Sequence, residues 1–582
     1  MNESKDPNAP MGQITPDQQG ELIAQQGTQP PSNLTPPGEF PTRQPRGLWV
    51  LFVTEMWERF SYYGMRALLV LYLAHTSVKM TVGTDGADPG QGFGWSKAEA
   101  SVLYGIYTFM VYVTSIFGGI AADRYLGTHR SMIWGGWIIA LGHVCLAMTE
   151  LFGIPDGEVV SPQTAPGALF MFLLGLALII IGTGFFKPCV SVMVGQLYGE
   201  GDPRRDSGFT YYYMGINLGA MLSSFVAGTL GEKVGWHWGF GAAAVGMVAG
   251  LISYQLLRPK FLAGIGDAPE GAWKGRRPLE FLLIALGLCA IPFVPLALYM
   301  TDALDPITSV WSRLTGTLGQ YGTAAAFAGV LLVACGVFLA AQMPKERGRI
   351  AVILVLAFIG NIFFWTAFEQ AGTSMNFFAK DNTDRTLWGL WERDGGFPAT
   401  WYQSINSLTI IICAPVFSWL WVWLDRKRKN PSSPMKFAIG LWLLGLAFLA
   451  MVFGALDAKD GLAAPHWLLI TYVVYTWGEL CLSPVGLSLV TKLAPKRLQS
   501  LMMGVWFFSF ALSNLCAGLV AAASEDFQPQ QQPDGTILPP ERDLWLGGLA
   551  DFYLMLVIVP IAAGFVIFAI SPVLRKWMGD VK

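Results

Sequence analysis

The chain has 582 residues, 53% of them hydrophobic and only 13% charged, with a formal net charge of −2. No soluble domain of this length keeps so apolar a composition in water, so the sequence selects a polytopic membrane protein; it excludes a nucleic-acid or polyanion binder, whose basic residues would gather in one patch. The seven cysteines are scattered through or beside apolar runs without CxxC or His-rich spacing, so neither a disulfide framework nor a metal site is implied.

Residues 1–46 are rich in Pro, Gln and Gly and hold too few large apolar side chains to build a core, so they are expected to form a disordered tail. They lack the short basic start, apolar centre and small-residue cleavage site of a secretory signal, and the first apolar run is therefore expected to stay as a transmembrane helix. A bilayer core requires about 20 apolar residues per helix, and roughly fourteen runs meet that ruler. Twelve lie near 49–75, 101–121, 131–150, 168–195, 208–230, 239–257, 349–378, 401–424, 436–456, 466–490, 500–523 and 547–573; two more, near 279–300 and 322–342, fall between the sixth and seventh. The division is a six-helix bundle over 47–258, a linker with two extra helices over 259–344, and a second six-helix bundle over 345–582.

The first run contains "EMWERFSYYGMR", with charges where hydrocarbon-compatible residues belong. Glu55, Glu58, Arg59, Tyr62 and Arg66 follow steps of three, one, three and four, which return to one face of a helix. Such a stripe cannot face lipid; intramembrane charges line a protein interior or a watery cavity. A structural ion-pair network would also explain the stripe alone. More ionisable and amide groups recur at mid-depth further along, however: Lys187 in "GTGFFKPCVSVMVGQLY", Asn217 in "YYYMGINLGAM", Glu369 in "FFWTAFEQAG", Asn406 in "YQSINSLTII" and Glu479 in "YTWGELCLSPVGLSLV". Each would be costly without a partner, and together they describe a polar cavity between two halves.

Alternate connections carry the Lys and Arg, among them Arg204 and Arg205, Lys345 with Arg347 and Arg349, and Arg426 through Lys429. Basic residues resist translocation, so these loops and both termini are expected in the cytoplasm, with the chain in the inner (plasma) membrane. "GGIAADRYLGTHR" and "SWLWVWLDRKRKNPSS" place Asp123-Arg124 and Asp425-Arg426 at matching helix ends, which points to an internal repeat. The first resembles the loop signature of the major facilitator superfamily, G-x-x-x-D-R-x-G-x-R, with the spacing to Gly127 and Arg130 slightly altered.

"EMWERFSYYG" matches, position for position, the E-x-x-E-R-F-x-Y-Y-G signature of the proton-coupled oligopeptide transporter (POT/PTR) family; "FKPCVSVMVGQLY", "YYYMGINLG" and "GELCLSPVGLSLVTKLAP" resemble its other motifs. The likeness runs from about residue 47 to the end and looks like a prokaryotic member. It implies an all-α membrane protein of the major facilitator fold that imports di- and tripeptides with protons by alternating access, with no cofactor beyond the proton as coupling ion. It also implies roles. Arg59 and Lys187 would meet the peptide carboxylate, and Glu479, helped by Asn217 and Asn406, the amine. Arg66 with Glu369 would latch the outer gate, and Lys187 with Glu479 or the first-helix glutamates the inner one.

Tyr62, Tyr63, Tyr112 and Trp506 combine an apolar ring with a polar tip, suited to walling a pocket that admits varied side chains. Proton coupling requires a carboxylate whose charge changes with its contacts, and Glu55, Glu58 and Glu369 are the candidates. Tyr107 stands where animal relatives carry a functional histidine, and none of the five histidines replaces it, so proton handling is expected to rest on carboxylates. An enzyme is disfavoured, since no HExxH, GxSxG or Walker-type motif occurs. The same scaffold carrying a drug, nitrate or peptidomimetic, or acting as a sensor, remains the alternative, and function as a monomer in the lipid bilayer is expected.

Overall fold

The computed structural model describes residues 43–579 apart from 76–89, 155–157, 200, 201, 203, 269–276, 301–325, 327, 328, 388, 390, 392–395 and 532–536. The expected tail therefore lies outside the described residues up to 42. From Arg43 onward the chain is held: Arg204 donates to the Arg43 carbonyl at 2.6 Å, Gln44 donates to the Ser207 hydroxyl at 2.7 Å, and Tyr198 donates to Gln44 at 2.8 Å. Residues 43 and 44, within the span expected as a tail, are thus tied to the connection between the fourth and fifth helices. In that connection Arg204 also pairs with Asp202 at 2.7 Å and holds its carboxyl below the usual carboxylate range.

The helices are α1 (Arg46–Ala74), α2 (Lys97–Ala121), α3 (Gly127–Ala147), α4 (Pro166–Gln196), α5 (Arg205–Ser223, continued through a π turn to Thr229–Lys233), α6 (Trp236–Phe261), α7 (Arg277–Met300), α8 (Gly329–Ala340), α9 (Pro344–Asp381), α10 (Gln403–Arg426, entered by the 3-10 turn Ala399–Tyr402), α11 (Ser433–Asp457), α12 (His466–Leu493), α13 (Gln499–Ala522) and α14 (Leu549–Met578). Local chemistry sets their ends. Ser96 and Glu99 form a capping box at the start of α2, each side chain meeting the other's backbone N–H, and prolines occupy the first turns of α4 and α9. Among the described residues eleven helical stretches are long and apolar enough to span a membrane, with α2 and α3 running as one; α1 falls outside that set because of its charges, and α8 is too short on its own. Part of the expected span near 322–342 lies outside the described residues, so a count of fourteen spans is not fixed. A two-residue hairpin, Gln530–Gln531 with Ile537–Leu538, is the small β element of the described chain, which hydropathy did not foresee.

α1 to α6 pack together around two apolar clusters, and α9 to α14 around a third. The two halves meet along α2 against α13 and α5 against α10. The inserted α7 lies on α2 and α4, with Leu288 buried against Ala121, Ile181 and Phe185. Cys335, Phe338 and Leu339 of α8 pack on the second half instead. Glycines let the spans approach: a Cβ on Gly118 of α2 would collide with the Gly184 carbonyl of α4. Gly118→Val is therefore expected to destabilise the detergent-solubilised protein by about 1–3 kcal/mol, seen as a lower midpoint in a thermal scan of tryptophan fluorescence; an unchanged midpoint would contradict that helix contact.

Candidate functional site

The polar stripe of α1 points into the interior. Glu55, Glu58, Arg59 and Tyr62 are all 5% exposed or less, deep among apolar residues. Arg59 Nε lies 3.0 Å from Glu55 Oε1 and 2.5 Å from Glu58 Oε2, so one guanidinium serves two carboxylates, and it also stands 5.4 Å from the Tyr62 ring centroid. Helical spacing explains the first pair, an i,i+4 contact. Glu58 Oε1 and Arg59 Nη2 have no protein partner, and buried groups of that kind are ordinarily met by water or by a bound polar molecule.

Two turns further along, Arg66 pairs with Glu369 of α9 and thereby joins the halves. Three tyrosine rings surround the Arg66 guanidinium, those of Tyr62, Tyr63 and Tyr104, at 6.0, 5.5 and 5.5 Å. Glu369 opens a 3-10 turn, Glu369–Gly372, that interrupts α9. Its neighbour Gln370 anchors that turn by donating to the Ala517 carbonyl of α13 at 3.1 Å. Asn376, past the break, donates to the Ala67 carbonyl of α1 at 2.9 Å, a second tie across the halves.

Among the described residues Lys187 and Glu479 do not form an ion pair. The Lys187 ammonium stands 3.6 Å from the centroid of the Tyr112 ring, and Glu479 instead accepts a hydrogen bond at 3.0 Å from Asn406, which also donates to Thr476 at 2.9 Å. The sequence cannot distinguish these partners, because a cation over an aromatic face and a cation beside a carboxylate use the same lysine. Asn217 donates within its own helix, to the Tyr213 carbonyl at 2.9 Å. Trp506 is packed in the core of the second half, edge-on to Phe437, with its ring against Gly486. Phe510, one helical turn on, takes the bridging place: it stacks on Tyr112 with centroids 6.0 Å apart and touches Trp365 at 5.1 Å. Sequence reasoning missed Phe510 because aromatics are abundant here and its significance comes only from the partner half.

The cations Arg59 and Lys187 thus belong to the first half, and Glu479 with Asn406 to the second. Ties between halves gather at the end away from the termini: Arg66–Glu369, Asn376–Ala67 and Lys97–Asp381, the last at 2.7 Å. Ion pairs at the terminal end, Arg258–Asp267 and Arg497–Glu346, do not cross between the halves. Among the described residues no cluster of His, Cys, Asp and Glu is arranged to hold a metal.

Two six-helix halves meeting around buried charges of both signs define a multi-pass membrane carrier of the major facilitator fold. The model of the POT family matches residues 129–261 and 320–536. A Bacillus subtilis chain named uncharacterized transporter YclF is 36% identical over 92% of this chain and 96% of its own length; a Yersinia enterocolitica peptide transporter is 38% identical over 84% and 90%; a Lactococcus lactis di-/tripeptide transporter is 33% identical over 93% and 97%. A crystal structure of a peptide transporter with sulfate superposes with a TM-score of 0.72 at 34% identity, covering 93% of this chain and 98% of that one; a POT family transporter with 5-aminolevulinic acid gives 0.71 at 30%, covering 92% and 97%. The chain belongs to the POT family.

Proposed function

We propose that the protein is a proton-coupled symporter, not an enzyme, that imports di- and tripeptides by alternating access, with both termini in the cytoplasm and the chain in the plasma membrane. The observation that carries this reading is the bipolar site: two cations on one half, a hydrogen-bonded carboxylate on the other, and, among the described residues, a charged latch between halves at the end away from the termini. A peptide carries one amine and one carboxylate whatever its side chains, so a site that grips the termini accepts many sequences. Arg59 and Lys187 would take the carboxylate, and Glu479, Asn406 and Asn217 the amine. Tyr62, Tyr63 and Tyr112 would wall the side-chain space; Trp506, packed behind Phe510, supports that wall from the core. The Lys187 contact with Glu479 or with Glu55 and Glu58 would form in the opposite conformation, where the inner side closes. No cofactor is needed, the proton being the coupling ion, and one chain holds the whole site.

Protonating Glu369 removes the charge that holds Arg66, so a proton entering from outside weakens the outer latch. A proton moving down the membrane potential contributes about 2.3 kcal/mol per 100 mV, roughly a 50-fold accumulation of a neutral peptide carried with one proton. The test is uptake of a labelled dipeptide into proteoliposomes under an imposed pH and voltage gradient, competed with unlabelled solutes. Driven accumulation blocked by dipeptides but not by free amino acids supports the reading. Accumulation independent of the gradient, or blocked by nitrate or drugs alone, would contradict it.

Asn406 arranges the amine site by orienting Glu479. Asn406→Ala is expected to raise the dipeptide KM at least about 10-fold, the loss of one hydrogen bond to a charged group, with a smaller change in maximal rate; an unchanged KM would remove Asn406 from the site.

A further inference from the structure

The end of the molecule away from the termini carries a second arrangement, separate from the buried charges of α1. α10 is entered by the turn Ala399–Tyr402, whose first amides have no partner within the helix. Glu232, at the end of α5 in the other half, meets them: it accepts from the Ala399 N–H at 2.9 Å, the Thr400 N–H at 2.9 Å and the Thr400 hydroxyl at 2.7 Å. The Glu232 side chain is buried at this junction. Trp401 donates to Thr229 at 2.9 Å and Lys233 to the Gly396 carbonyl at 2.7 Å, so the whole entry turn of α10 rests on the end of α5.

The mirror of this contact occurs on the other side of the interface. The first turn of α2 presents the Ala98 N–H, and Glu525, just past the end of α13, accepts from it at 3.0 Å. Lys97 beside it reaches Gln528 at 3.2 Å and Asp381 at 2.7 Å, both in the second half. α2 and α10 are the second helices of their halves, α5 and α13 the fifth. Each fifth helix therefore ends in a glutamate that caps the second helix of the other half. A glycine contact underlies each junction: a Cβ on Gly228 would strike Thr400, and Gly105 and Gly518 face each other too closely for side chains.

A carboxylate at a helix start meets unpaired N–H groups and the positive end of the helix dipole, so its contribution depends on its standing on the axis. Two such contacts, placed symmetrically, reward closure of the halves in one register. We propose that Glu232 and Glu525 are gate-positioning residues of the transport cycle, exchanged helix caps that form when the outer side closes and break together when it opens. This deepens the alternating-access reading and rests on it.

The experiment measures the distance between spin labels at Leu151 and Leu462, exposed positions in different halves at the far end, in a background with the seven native cysteines replaced. Glu232→Ala and Glu525→Ala are each expected to raise the ratio of open to closed outer gate about fivefold, and the double variant by about the product of the two, since the sites are far apart and act on one transition. Glu232→Gln and Glu525→Gln, which keep an acceptor for the backbone, are expected to shift the ratio less than the alanine variants, and they guard against loss of folding. Arg66→Ala, which removes the charged latch, is the positive control. Distributions unchanged in all four cap variants while Arg66→Ala opens the gate overturn the cap proposal alone. A distance that stays fixed in every variant and on addition of dialanine at any pH overturns the alternating-access reading itself.

Discussion

Replacing Arg59 by alanine is expected to reduce dipeptide uptake to below about 1% of the wild-type rate. The magnitude follows from two losses acting together. Arg59 is shared by Glu55 and Glu58, which are buried with it, and removing one partner of a buried charge pair costs about 3–5 kcal/mol because the remaining charge is left uncompensated. The variant also loses one of the two cations proposed to meet the peptide carboxylate. Arg59→Lys keeps the charge but lacks the planar fork that reaches both glutamates at once, so it is expected to recover activity only partly. Binding measured by calorimetry separates these losses: absent binding with an intact thermal transition assigns the effect to the site, whereas wild-type affinity in Arg59→Ala would remove Arg59 from it.

The second large effect concerns the latch. Glu369→Gln keeps a hydrogen-bond acceptor for Arg66 but removes the charge, and it mimics the protonated carboxyl at every pH. Gradient-driven uptake is expected to fall at least about 10-fold, the scale of a charge-assisted bond of 1.5–3 kcal/mol, while exchange of labelled for unlabelled dipeptide across the membrane continues. The sign follows from the pair: without the Glu369 charge Arg66 loses its ionic partner across the halves, so Glu369→Gln is expected to shift the outer-gate distance toward the open state. Driven uptake equal to wild type in Glu369→Gln would exclude Glu369 as a coupling residue. Glu58→Gln provides the comparison, because the ion pair of Glu58 is with Arg59 of the same helix and does not join the halves.

Much of the site was legible before the fold. Charges at steps of three and four within one apolar run can only share a helix face, and that face has to turn inward. Glu55, Glu58 and Arg59 accordingly form a buried cluster. The Arg66–Glu369 pair followed from the family likeness and is present, 303 residues apart in sequence. What periodicity could not give was the partner across the interface. Lys187 could equally well have met a carboxylate as the Tyr112 face, and Phe510 is one phenylalanine among 37 until Tyr112 is seen against it. The cap at Glu232 was also hidden, since a glutamate at the end of an apolar helix reads as a solvated terminus; only packing of α5 on the entry turn of α10 shows the amides it serves. Backbone irregularities such as the π turn Ser224–Gly228 leave the hydropathy unchanged and so escape any ruler based on it.

The central claim is that the buried charges are held in two halves to grip the two ends of a peptide. Calorimetric binding of dialanine, N-acetyl-dialanine and dialanine amide to the wild-type protein addresses it most directly. Each blocked end should weaken binding at least about 10-fold through one lost charge-assisted contact, with the loss from acetylation absent in Glu479→Gln. Equal affinity for free and blocked peptides would contradict the account.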